Sequence, residues 1–222
     1  KNTLERRVVQ YVDRQVLPLR GRKVLMVSSV DRFGMAEAFT AAGADMVFGD
    51  VMFGLGLKWP LRKLESMNLL AQILLPVVTQ LPFTWLYPTG EKQEKREVKY
   101  EEFYQWAEVI AGDWLYIHRH MPDRLEGKTV LTNTVTPADV EELRSRGVAT
   151  LVTTTPNLGG RSFGTNLMEG LIVAAAGKKP EEMTPSDYEA WLDKIGFAPR
   201  VEHLNEADEA CERSDKTASN AR

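Results

Sequence analysis

The residues whose types and spacing could do chemistry are Ser28-Ser29-Val30-Asp31-Arg32-Phe33-Gly34 and, further on, Asp50. They follow the apolar run Val24-Leu25-Met26-Val27 and lead into a helix-forming stretch from Gly34 to Ala42. A strand-to-helix turn presents unpaired backbone N–H groups and the positive end of a helix dipole, which suits a phosphate. Here Ser28 and Ser29 can donate hydroxyl hydrogens and Arg32 can pair with an anionic oxygen. Asp31 and Phe33 complete this candidate cofactor-binding turn. Three glycines usually let a pyrophosphate approach such a turn, and Val30 and Phe33 stand in their place. Asp50 lies about 20 residues beyond the turn, where a dinucleotide-binding fold keeps an acid for the ribose 2′-hydroxyl. That acid favours NAD, although NADP stays open.

The other expected strand ends are polar too. Gly112-Asp113, Thr132-Asn133-Thr134 and Thr153-Thr154-Thr155-Pro156 each follow an apolar segment. Ligands of an open parallel sheet bind outside the carboxyl ends of its strands, so Asp113, Asn133, Thr134 and Thr154 join the cofactor-binding candidates. Each alone also reads as a helix cap or a turn residue. A second candidate is the loop Gly159-Gly160-Arg161-Ser162-Phe163-Gly164-Thr165-Asn166. Arg161, Ser162, Thr165 and Asn166 lie beside a helix start and suit a substrate carboxylate or another anion.

His118 and His120 flank Arg119 downstream of Asp113 and are the candidates for proton transfer, but their spacing can put the two rings on different faces. Exposed histidines beside Arg and Pro are ordinary, and no catalytic residue is assigned. No His, Cys, Asp and Glu cluster has metal-ligand spacing, and no Walker or GxSxG sequence occurs.

The elements that must position these residues alternate between strand and helix. Leu4–Val16 reads as an amphipathic helix, with Asn2 and Glu5 at capping-box spacing. Strands are expected at Val24–Val27, Met46–Phe48, Phe83–Tyr87, Trp106–Gly112, Lys128–Thr132 and Thr150–Thr153. Between the last two, Thr136 caps a helix with Pro137 in its first position and Gly147 ends it. Further helices are expected at Leu61–Leu75, Gly164–Ala176 and Pro185–Ile195. The pattern predicts an α/β fold, a three-layer Rossmann-like open parallel sheet of about six strands with helices on both faces. Residues 1–204 form this domain, with a helical elaboration at about 53–106. The polar segment 205–222 is expected to be a flexible tail.

Among 222 residues, 28 Lys and Arg nearly balance 31 Asp and Glu, a net charge of −3 that gives no field to recruit nucleic acid. The apolar stretch Leu69–Leu86 is broken by Gln72, Pro76, Gln80 and Pro82, so it does not span a membrane. It reads instead as core, or as a surface for a second copy or for an upstream domain. The single cysteine, Cys211, fits a reducing cytoplasm. The first residue is Lys1, and the chain is expected to begin partway through a longer polypeptide.

The phrases GRKVLMVSSVDRFGMAEAF, LPFTWLYPTGEKQE, WAEVIAGD, TNTVTPADVEELRSRGV and LVTTTP followed by GRSFGTN resemble a family of bacterial proteins labelled quinate 5-dehydrogenases. The resemblance runs over most of Lys1–Leu204. It implies a C-terminal NAD(P)-binding Rossmann domain of a longer protein. The implied activity is hydride transfer between nicotinamide and a small hydroxy acid or polyol. Quinate and shikimate dehydrogenases take a Lys and Asp pair from their substrate domain, and no phrase here matches it. The acid/base group is then expected upstream of this chain or near His118. A non-catalytic, regulatory domain for a nucleotide or carboxylate is the alternative, and a methyltransferase-like domain a third.

Overall fold

The computed structural model describes residues 2–78, 80, 96–155 and 164–205. Successive side chains of a strand point to opposite faces, so a strand buried on both sides needs a continuous apolar run. Five such runs form β1 (Lys23–Met26), β2 (Asp45–Phe48), β3 (Val109–Ala111), β4 (Thr129–Thr132) and β5 (Thr150–Thr153). They pair in parallel in the order β2-β1-β3-β4-β5, and an antiparallel strand, β6 (Arg200–His203), follows beyond β5. The protein is an α/β fold with a six-stranded, mostly parallel, Rossmann-like open sheet.

Val24, Met26, Phe48, Val109, Leu131 and Val152 face one layer. Covering them are α1 (Asn2–Gln15), α2 (Phe33–Ala41), α7 (Thr165–Ala176) and α8 (Pro185–Lys194), through Val8, Val12, Phe39, Met168, Ile172 and Leu192. The alternate residues Leu25, Val27, Val47, Ile110, Val130 and Leu151 face the other layer. There α4 (Glu101–Trp106), α5 (Trp114–His120) and α6 (Pro137–Ser145) contribute Tyr104, Ile117 and Leu143. Between β2 and α4, α3 (Leu64–Val78) tucks Met67 into the first layer.

The local signals act as chemistry demands. Thr136 and Asp139 form a capping box at α6: the Asp139 amide donates to Thr136 Oγ1 at 3.3 Å and the Thr136 amide to Asp139 Oδ2 at 2.7 Å. Gly43 and Gly147 end α2 and α6 with φ of +82° and +83°, a conformation open to glycine.

Several expectations change. Trp106 is the last residue of a helix, because Glu101 and Glu102 start α4 before the chain turns extended, and only Val109–Ala111 is strand. The helix after β2 begins at Leu64, since Leu61 forms an antiparallel bridge with Phe48 instead. Directly after β2, Asp50–Gly54 is a π-helical turn. Glu5, expected at capping-box spacing, is fully buried and meets Arg32. The sixth strand is Arg200–His203, which no apolar run announced, whereas the candidate strand at Phe83–Tyr87 lies outside the described residues. So do Arg161, Ser162, residues 79 and 81–86 of the Leu69–Leu86 stretch and, in the tail, residues 206–222. Asn205 is described, and its Nδ2 donates to the carbonyls of Arg144 and Val148 at 3.0 and 2.9 Å. Among the described residues, no helix is long and apolar enough to cross a membrane.

Candidate functional site at the carboxyl edge of the sheet

From β1 the chain crosses to β2 on one side, and β3 lies on the other, so strand order reverses between β1 and β3. The crevice outside that switch point is where an open α/β sheet binds its ligand. Ser28 and Asp113 meet there, the Asp113 amide donating to Ser28 Oγ at 3.1 Å. This closeness depends on Gly112. A Cβ at that position would lie 3.2 Å from both the amide nitrogen and Oγ of Ser28, and its φ of +143° is rarely adopted by other residues.

Asp50 closes over the first turn. Its Oδ1 accepts from the amides of Ser29 and Val30 at 2.8 and 3.0 Å, and its Oδ2 accepts from the Ser29 hydroxyl. Burial pushes the Asp50 carboxyl above its ordinary pKa, against the lowering effect of those bonds. The expected ribose acid thus takes the backbone N–H groups of the turn expected to hold phosphate.

Arg32 is equally engaged. Its Nη1 donates to Glu5 Oε1 of α1 at 3.1 Å, its Nη2 to Asp113 Oδ2 at 3.1 Å, and its Nε lies 3.6 Å from Asp31 Oδ2. The guanidinium is 6% exposed and the Glu5 side chain 0%. Desolvation works against the charge, but Glu5, Asp31 and Asp113 outweigh it and raise the Arg32 pKa. Gly34 lets α1 come this close: a Cβ there would sit 2.7 Å from Asn2 Cα. Phe33, expected to face the ligand, opens α2 and packs half-buried on the core.

Asp113 has a second task as the cap of α5, accepting from the Leu115 amide at 3.0 Å. Asn133 Nδ2 donates to Asp113 Oδ2 at 2.8 Å, and Asn133 Oδ1 accepts from the Trp114 amide at 3.0 Å. Thr132 Oγ1 lies 3.0 Å from the Gly112 carbonyl and 3.2 Å from Asn133 Oδ1, tying β4 to β3. Thr154 follows β5; it is 0% exposed, and its Oγ1 has no hydrogen-bond partner among the described residues. Thr134 is exposed.

The structure therefore joins Ser28, Ser29, Asp31, Arg32, Asp50, Asp113 and Asn133 in one strand-end network. Thr165 lies buried at the start of α7, in a cleft shared with Thr3, Leu4, Tyr188 and Leu192, while Asn166 is exposed. The histidines face elsewhere. His118 Nε2 meets Glu142 Oε2 at 3.0 Å, and His120 Nδ1 meets the Glu97 carbonyl at 2.9 Å. His120 is buried beneath Phe53, ring centroids 5.2 Å apart, and burial lowers its pKa. Among the described residues, no group of three or more His, Cys, Asp and Glu is placed to hold a metal ion.

Glu5 and Gly112 are the two site residues that the sequence reasoning passed over. Glu5 has a signal: with Val8, Val9 and Val12 it occupies positions i, i+3, i+4 and i+7, so a charge stands on the buried stripe of α1. Chemically, the edge is rich in acceptors. Its carboxylates and hydroxyl oxygens suit ligand hydroxyls, while the buried Arg32 cation is already balanced.

Comparison with known proteins gives a family and a distant shape. No curated protein matches the chain. A crystal structure from Mycobacterium smegmatis is similar at 12% identity and a TM-score of 0.34, over 99% of this chain and 63% of that one. This chain thus spans less than two thirds of that structure's length. The family described as Domain of unknown function (DUF8754) matches residues 1–204, and the chain belongs to it.

Proposed function

We propose that the chain is the cofactor-binding part of an NAD(P)-dependent oxidoreductase, quinate/shikimate dehydrogenase-like, acting on a small hydroxy acid or polyol. One observation carries this reading: the switch point between β1 and β3 is lined by hydrogen-bonding groups, with Asp50 placed at the end of β2. When bound, the dinucleotide supplies the hydride acceptor or donor. Asp50 fits ribose hydroxyls in charge and position, and Ser28, Asn133 and Thr154 are the neighbouring polar groups. The first turn fits a pyrophosphate only with Asp50 turned away from Ser29 and Val30. His118 and His120 are held by Glu142 and Glu97, so proton transfer is assigned to neither. Isothermal titration with NAD and NADP tests the reading, with NAD expected to bind more tightly. Silence from both at millimolar concentration would overturn it.

A second reading, a non-catalytic regulatory domain for a nucleotide or carboxylate, is favoured by the engagement of both Arg32 and the turn amides. Ligand binding without hydride transfer from any of a panel of hydroxy acids would support it over the first. In either case the cytoplasm suits the single cysteine. A partner, either a second copy or an upstream domain, is proposed at Leu69–Leu86, where Leu69 and Ile73 are exposed on α3.

A further inference from the structure

We infer that Asp50 is the specificity-determining residue of the switch-point site: its carboxylate fills the anion position of the β1–α2 turn. A ligand that presents hydroxyl groups is admitted, and one that presents phosphate there must displace Asp50. This assignment rests on the reading that the ligand sits between the ends of β1 and β3.

Two successive backbone N–H groups and a hydroxyl converging on one point are the donor set of an anion-binding nest. Here all three, the amides of Ser29 and Val30 and Ser29 Oγ, converge on a carboxylate that belongs to the chain. An intramolecular occupant competes at high effective concentration, and it adds repulsion toward any second anion. Arg32 does not offset that repulsion, because Glu5, Asp31 and Asp113 already surround it. The backbone that carries Asp50 is clamped as well. The Gly49 amide donates to the Met26 carbonyl at 2.8 Å, and the Phe53 amide donates to the Gly49 carbonyl at 2.8 Å. The Phe53 ring is wedged among Tyr100, Tyr104 and His120, with centroids 5.6, 5.8 and 5.2 Å away. It also lies where a Cβ on Gly49 would be, 2.5 Å from that point. Displacement therefore has to come from rotation of the Asp50 side chain, since the π-helical turn beneath it is fixed.

The test uses the full chain, labelled with 15N, and two probes: inorganic pyrophosphate, which has no ribose, and adenosine, which has no phosphate. Asp50→Asn keeps an oxygen for the two amides and removes the charge. Pyrophosphate is expected to shift the Ser29 and Val30 amide resonances of D50N at a concentration at least tenfold lower than in the wild type. Equal response of the two proteins at these amides, or no response in D50N, would overturn the assignment. If D50N does not fold, Ser29→Ala, which loses only the hydroxyl bond to Asp50, replaces it. A gain of about threefold is expected there, and no gain overturns the assignment. Adenosine reports on the site itself through the Gly112 and Asp113 amides. If adenosine leaves these unmoved while D50N gains pyrophosphate, the switch-point reading fails and the role of Asp50 in the turn stands.

Discussion

Arg32→Met should be the most damaging single change at the sheet edge, and its size follows from what it strands. The guanidinium donates to Glu5 at 3.1 Å and to Asp113 at 3.1 Å, and the Glu5 side chain is 0% exposed. Methionine fills a similar volume but takes the Arg32 guanidinium away from the buried Glu5 carboxylate. Removing one partner of a buried pair costs about 3–5 kcal/mol, because the desolvation penalty remains after the attraction is gone. In a domain of this size each kcal/mol lowers the melting temperature by about 2–4 °C, which gives a fall of about 6–20 °C. Glu5→Gln should cost only about 1 kcal/mol, since Arg32 keeps Asp113 and Asp31 and glutamine still offers an oxygen. In the double variant no charge is stranded at position 5, so the two effects should fall short of additivity by about 2 kcal/mol. Urea unfolding of the four proteins gives the cycle. Burial also makes the coupling nearly independent of salt. A loss below about 1 kcal/mol in R32M, or strict additivity, would refute the picture of a buried cluster pinning α1 to the strand ends.

Three further outcomes follow from the same geometry. Asp50 has a folded-state pKa above its unfolded one, so its contribution is fully present below the unfolded value and is lost as pH rises through the folded value. D50N should therefore gain on the wild type in urea melts as pH rises, with the two converging in acid; a gain confined to acid would contradict this. His120 has the opposite dependence, because burial lowers its pKa and favours the neutral ring. Its contribution should be lost as pH falls below about 6.5, and His120→Gln should flatten the stability profile there, an unchanged slope being the contrary result. Gly34→Ala places a methyl 2.7 Å from Asn2 Cα and O, so α1 must shift. A loss of about 1–3 kcal/mol is expected in thermal melts, and a neutral result would mean that α1 yields freely.

What was legible in the chain was whatever short-range chemistry determines. The runs Val24–Met26 and Thr150–Thr153 are apolar or β-branched throughout, as a strand covered on both faces requires. Thr136, Pro137 and Asp139 mark a helix start by their own hydrogen bonds, whatever surrounds them. The misread features depend on distant partners. β6 has the sequence Arg200-Val201-Glu202-His203, and it becomes a strand because β5 offers an edge. Trp106 belongs to a short apolar run that suits helix and strand equally, and Glu101 and Glu102 in the first turn decide the matter. At the site, spacing brought Ser29 and Asp50 together in expectation, but as neighbours of a ligand. That the carboxylate reaches the turn directly depends on the π-helical turn, which leaves no periodic trace in five residues. The Glu5–Arg32 pair spans 27 residues and two helices.

The rims of the sheet limit how copies of this chain can associate. Beyond β2, the Phe48 amide donates to the Leu61 carbonyl at 2.7 Å and the Leu61 amide returns a bond at 3.3 Å, so a loop covers part of that edge. The opposite rim is β6, whose Arg200, Glu202 and His203 put charged and polar side chains where another strand would have to dock. Open edges of apolar strands template pairing and aggregation, and such a cap and such charges oppose it. Assembly through helix faces leaves both rims intact, whereas fibrous growth by strand addition would first have to peel away Leu61 or bury the charges of β6.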